Sequence, residues 1–161
     1  MKYERFEQLP VWQDAAKLAA ELFTFCTHPV FRGKGDLANQ LQRAALSISN
    51  NIAEGFERGT TKELISFLYY ARGSAGEVRS MLAMMDFVPN TDAIQKDIIK
   101  YRQTVESIAR QLRGWAQSLQ DSPIKGQKFL TAESREQEQR EKSRQAFLEQ
   151  IEEMAKQSRG F

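Results

Sequence analysis

The stretch Gln40–Gly55, QLQRAALSISNNIAEG, restricts this chain more tightly than any other, because it reads as a helix with one buried face and one ordered polar border. Leu41, Ala44, Ala45, Ile48 and Ile52 recur at three- and four-residue intervals, so they fall on one side of an α-helix, and Leu37 lengthens that side by a turn. Arg43, Ser47, Asn50, Asn51 and Glu54 recur at nearly the same interval and lay hydrogen-bonding groups beside the core. Gly55 is predicted to end the helix in the left-handed conformation open to glycine, with Phe56 folding back on the last turn.

Three more segments share this pattern. Val11, Ala15, Leu18, Ala19, Leu22 and Phe25 form the apolar face of a first helix that opens at Pro10, where proline is tolerated, and closes near Thr27, before Pro29. Trp12 lies at the edge of that face and reads as a half-buried residue. Thr60-Thr61-Lys62-Glu63 has the form of a capping box and starts a helix buried through Leu64, Phe67, Leu68, Ala71, Ala75, Val78, Leu82 and Met85, running to about Asp86. Asn90 or Thr91 is expected to cap the next helix, with Asp92 near its positive end. Its apolar stripe is Ile94, Ile98, Tyr101, Val105, Ile108, Leu112, Trp115 and Leu119.

Short turns between helices of similar length force antiparallel neighbours, so residues 1–120 are predicted to form an all-α, up-down-up-down four-helix bundle. Pro123 and Gly126 interrupt the chain over 121–130. From about Thr131, Glu, Gln, Arg and Lys dominate, predicting an additional polar C-terminal helix and making 121–161 a linker with a charged helical appendage. Phe147, Leu148, Ile151 and Met154 give this helix a short apolar stripe, read either as solvated or as docking on the bundle, a neighbouring subunit or a partner.

The charges are nearly balanced: 15 Lys+Arg against 13 Asp+Glu in residues 1–120, and 8 against 8 in 121–161. Binding to a polyanion must therefore come from local clustering or from repetition of one patch around an oligomer. Arg58, Arg72, Arg79, Arg110 and Arg113 lie off the apolar faces and are the candidate phosphate contacts, read alternatively as ordinary solvated arginines. Gly73, Gly76 and Ser80 form a small-residue strip on the third helix, where two interior glycines cost roughly 1 kcal/mol each relative to alanine. Close approach of a neighbouring helix, in the same bundle or in another subunit, is the expected reason.

Little here points to catalysis. Cys26 is the single cysteine, which excludes an intrachain disulfide, and its apolar surroundings read as packing. His28 is the single histidine, so a tetrahedral metal site lacks its usual ligands, and FRGKG at Phe31–Gly35 lacks the spacing of a phosphate-binding loop. Ser47 and Ser49 have no recognisable base, and no cofactor motif is present. Arg43 is instead expected to pair with Glu77 or Glu54, with Ser74 facing the stripe and Asn50 or Asn51 satisfying backbone groups. No signal peptide or membrane-length apolar run is seen, so a soluble, cytoplasmic protein without membrane contact is expected.

Three segments in order, LPVWQDAAKLA at Leu9–Ala19, RAALSISNNIAEG at Arg43–Gly55 and YARGSAGEVRSML at Tyr70–Leu82, carry a family resemblance. The chain resembles the bacterial four-helix-bundle proteins encoded within intervening sequences of 23S ribosomal RNA genes. These are related to the accessory variability determinant of diversity-generating retroelements. The resemblance implies an antiparallel bundle, commonly a homopentamer, without enzymatic activity, and a relative that binds nucleic acid and engages its reverse transcriptase. The expected function is thus a non-enzymatic oligomer that binds RNA, DNA or a nucleic-acid-processing partner such as a reverse transcriptase. The alternative is a structural adaptor that binds only protein, through Trp12, the glycine strip or the C-terminal helix.

Overall fold

A computed structural model describes residues 3–123, 125–126 and 132–158, and its regular elements are helical. The bundle consists of α1 (Pro10–Phe25), α2 (Gly35–Glu57), α3 (Thr61–Met84) and α4 (Gln95–Gln120). Each helix packs on the next, and α1 against α4 closes the ring. The chain divides into two units, Met1–Ile124, which holds the bundle, and Lys125–Phe161, which holds α5 (Ala132–Ser158). Part of the predicted interruption, residues 124 and 127–130, and the expected helix start at Thr131 lie outside the described residues. On α5, Phe147, Leu148, Ile151 and Met154 are exposed, and Glu136 and Arg140 form an ion pair one turn apart.

Helical periodicity accounts for the core. The buried residues of α1 are Val11, Ala15, Leu18, Ala19, Leu22 and Phe25, the predicted face. Leu41, Ile48, Ile52, Leu68, Leu82, Ile98, Ile108 and Leu112 are fully buried at the centre of the bundle. Trp12 is half-buried, edge-on to Phe6 at 5.2 Å. Phe67, Trp115 and Leu119, expected in the buried face, are half-buried at its margin. Polar ties add register between helices: Gln111 donates to Asp14 at 3.1 Å, and Lys100 pairs with Glu21, both joining α4 to α1.

Gly55 does not end its helix. α2 continues through Glu57, and the left-handed residue is Gly59, with φ +76°. Gly55 sits buried inside α2, where an added Cβ would lie 2.6 Å from Cβ of Phe67 on α3. Its missing side chain therefore lets α2 and α3 approach, while the stop is made by the glycine one turn later.

The start of α3 is capped largely as expected. Thr60 Oγ1 accepts from the Glu63 amide at 3.2 Å. The Glu63 carboxylate accepts from the Thr60 hydroxyl at 2.6 Å rather than from the Thr60 amide, so the box is only half formed. Thr60→Ala strips the cap acceptor from the amide, and the expected loss is about 1 kcal/mol in a denaturation midpoint series. Unchanged stability would mean that water serves this helix end equally well.

The entry to α4 departs from expectation. Asn90 has φ 64° and Thr91 is buried with its hydroxyl donating to the carbonyl of Val88 at 3.1 Å, so neither caps the helix. A 3-10 turn over Asp92–Ile94 leads directly into α4. The turn between α3 and α4 is instead held by Arg102, which donates to the Leu82 carbonyl at 3.0 Å and to the Asp86 carboxylate, while Gln95 donates to Asp86 at 3.1 Å. The Arg102 hydrogen bond, then that of Gln95, holds the Asp86 carboxyl below its ordinary value of 3.8. Its contribution to stability is present above that ordinary value and is lost as pH falls through the lower folded value. Asp86→Asn is expected to flatten the acid side of the stability profile, read as thermal midpoints between neutral pH and about pH 3. An unaltered profile would remove Asp86 from that account.

Candidate functional site

The polar border of α2 is a structural feature. Ser47 and Ser74 share a hydrogen bond of 2.9 Å across the α2–α3 seam, and Asn51 donates to the Ser47 carbonyl at 2.8 Å and its hydroxyl at 3.0 Å. The expected pairing of Arg43 with Glu77 or Glu54 is not formed. Arg43 and Glu77 are exposed, without an ion pair among the described residues, and Glu54 is taken by Arg58 on the next turn of its own helix. Asn50 is exposed. Local i,i+4 geometry costs less side-chain entropy than reaching across the bundle, which explains the choice of partner.

Cys26 is buried with its Sγ 3.7 Å from the Ala38 carbonyl, and burial pushes the thiol up to about 11, away from the reactive thiolate. His28 accepts from the Val30 amide at 3.2 Å and caps the 3-10 turn over Pro29–Phe31. Among the described residues, no group of three or more His, Cys, Asp and Glu side chains is placed to hold a metal ion.

A different feature gathers most of the candidate arginines. Between α3 and α4 lies a groove of about 470 Å³, lined by Tyr69, Arg72, Gly73, Ala75, Gly76 and Arg79 from α3 and by Glu106, Ala109, Arg110 and Arg113 from α4. Residues 69, 72, 73, 76 and 79 follow one another at helical intervals, and so do 106, 109, 110 and 113, so each set is one edge of its helix. The antiparallel crossing of α3 and α4 brings the two edges together. Gly73, Gly76 and Ala109 carry too little side chain to fill the space between them, which leaves the floor open.

Four guanidinium groups face this groove against one carboxylate. Glu106 pairs with Arg110 at 3.0 Å, while Arg72, Arg79 and Arg113 have no ion pair or hydrogen bond among the described residues. The chain's small net charge therefore conceals a local excess of positive charge. Tyr69 stands in the same groove, 40% exposed as a residue and with its hydroxyl accepting from Gln120 at 3.4 Å.

The remaining candidates fall elsewhere. Arg58 lies at the end of α2, paired with Glu54 and stacked 5.3 Å over the Phe67 ring, so it is not part of the groove. Ser80 is exposed outside it. Of the two neighbours expected at Gly73 and Gly76, a helix of the same bundle or one of another subunit, the first is absent among the described residues, since a Cβ added to either would meet nothing within 4 Å. Tyr69, Glu106 and Ala109 were absent from the sequence-based set, although their helical spacing from the arginines and glycines was visible.

Fold and groove together define a class, a helical bundle with an open basic channel along one helix pair. The profile of the 23S rRNA-intervening sequence protein family matches residues 7–114, well over half of the chain. The chain belongs to the 23S rRNA-intervening sequence protein family. A search of curated proteins found no match. No helix among the described residues is long and apolar enough to cross a membrane.

Proposed function

We propose that this protein is a non-enzymatic, oligomeric bundle that binds nucleic acid through the α3–α4 groove. The observation that carries the reading is the convergence of Arg72, Arg79 and Arg113, without protein partners among the described residues, on a floor of two glycines. Guanidinium groups bind phosphate through paired N–H donors, and an open basic channel is the electrostatic footprint of a polyanion site. The glycines support it from the folding side. Each weakens α3 by about 1 kcal/mol relative to alanine, and no contact among the described residues makes use of the missing side chain.

A subunit interface over Gly73, Gly76 and Ser80 is the competing use of this strip. Burying three unpaired arginines there would require carboxylates from the facing subunit, since unpaired buried charge is strongly unfavourable. This favours a ligand as the occupant of the groove. In a homopentamer, the assembly implied by resemblance, it would recur around the ring and multiply a charge that is small in one chain. A reverse transcriptase or other nucleic-acid-processing partner would then meet a strand already held.

The test is titration of labelled 23S rRNA fragments with the full-length protein across a salt series. Affinity is expected to fall linearly with salt on logarithmic axes, because bound phosphates release counterions. Absence of binding at low salt would overturn the reading and favour a protein-only adaptor using the exposed stripe of α5.

A further inference from the structure

The groove holds more than charge. A duplex keeps its bases stacked inside and presents phosphates on a broad outer surface, so it can touch the rims of a narrow channel without using its floor. An unpaired strand brings a phosphate chain and free π-faces together, and proteins that bind such strands combine a basic track with aromatic platforms. Both parts are present here, with Tyr69 standing in the same channel as Arg72, Arg79 and Arg113. Gln120 donates to the Tyr69 hydroxyl at 3.4 Å, and the ring stacks on no other aromatic ring among the described residues. Arg72 and Arg79 are two turns apart on α3, a rise of roughly 10 Å, so they can hold successive phosphates of one strand running along the helix. The bare backbone at Gly73 and Gly76 leaves room between them.

We infer that the groove selects unpaired nucleotides, seating a strand along α3 with phosphates on Arg72, Arg79 and Arg113 and one base against Tyr69. This rests on the nucleic-acid reading of the groove. The ring supplies stacking that a paired base cannot reach, so discrimination against duplex follows from geometry. The contacts are to phosphate and base face, so RNA and DNA strands share them.

The experiment compares a short unstructured RNA oligonucleotide with its fully paired duplex, and the DNA counterparts, binding to the full-length protein. The single strand is expected to bind at least about tenfold more tightly in both. Tyr69→Ala should weaken single-strand binding by about tenfold and leave duplex binding unchanged, whereas Tyr69→Phe should retain it. Gly76→Leu places a side chain in open space, so it should block the single strand while the thermal midpoint is not lowered. Equal or tighter binding of duplex, or an unaffected Tyr69→Ala variant, would overturn this inference while leaving the nucleic-acid reading intact. Failure to bind either form would remove both.

Discussion

Gly55→Ala is expected to destabilise the bundle by about 1–3 kcal/mol, although alanine is the better helix former. The new Cβ would stand 2.6 Å from Phe67 Cβ and 3.3 Å from a Leu64 methyl. Phe67 Cβ is fixed to the α3 backbone, so no rotamer change relieves the clash and the helices must separate. The movement loosens the seam that also carries the Ser47–Ser74 hydrogen bond. Gly76→Ala provides the opposite sign in the same fold, because its Cβ meets nothing within 4 Å and the gain in helix propensity, up to about 1 kcal/mol, stands unopposed. Urea denaturation followed by helical circular dichroism measures both. A Gly55→Ala variant as stable as the parent would mean that α2 and α3 do not approach at this point.

The second large effect concerns binding. Replacing Arg72, Arg79 and Arg113 together with glutamine is expected to weaken nucleic-acid binding on the order of a hundredfold, taking ~1 kcal/mol for each exposed phosphate contact. Glutamine keeps the length and helix propensity of the side chain. Because none of the three has an ion pair or hydrogen bond among the described residues, the fold should survive with its thermal midpoint unchanged or raised by relief of like-charge repulsion. Arg58→Gln is the internal control. It breaks the Glu54 pair and the stack on Phe67 but lies outside the groove, so binding should be nearly unaffected. A triple variant that binds like the parent would contradict the assignment of these side chains to phosphate.

The core was legible because burial leaves a periodic trace. Leu41, Ala44, Ala45, Ile48 and Ile52 are all buried, and every predicted buried residue of α1 is buried as well. Gly55 was misread because the sequence places a glycine near the end of an apolar stripe but does not say what faces it across the bundle. Gly59 is the true stop, and Phe67 is the reason that Gly55 is small. Thr91 failed as a cap for a similar reason, since its hydroxyl is turned to the carbonyls of the preceding turn.

The groove was half legible. Arg72, Gly73, Gly76 and Arg79 share an edge by spacing alone, and so do Arg110 and Arg113. Missing from one dimension was the register of α3 against α4, which places Tyr69 and Ala109 in the same channel and excludes Arg58. The Glu54 four residues before Arg58 was a visible competitor for that guanidinium, and it is the partner found.

The most direct test is the salt dependence of RNA binding by the parent and by the triple glutamine variant, measured side by side on the same labelled single strand. Each phosphate contact contributes about 0.7 to the slope of log affinity against log salt for a single strand. Loss of three should flatten the slope by about 2. That difference would place the phosphates on Arg72, Arg79 and Arg113. Identical slopes would mean that the nucleic acid, if bound, is held elsewhere on the protein.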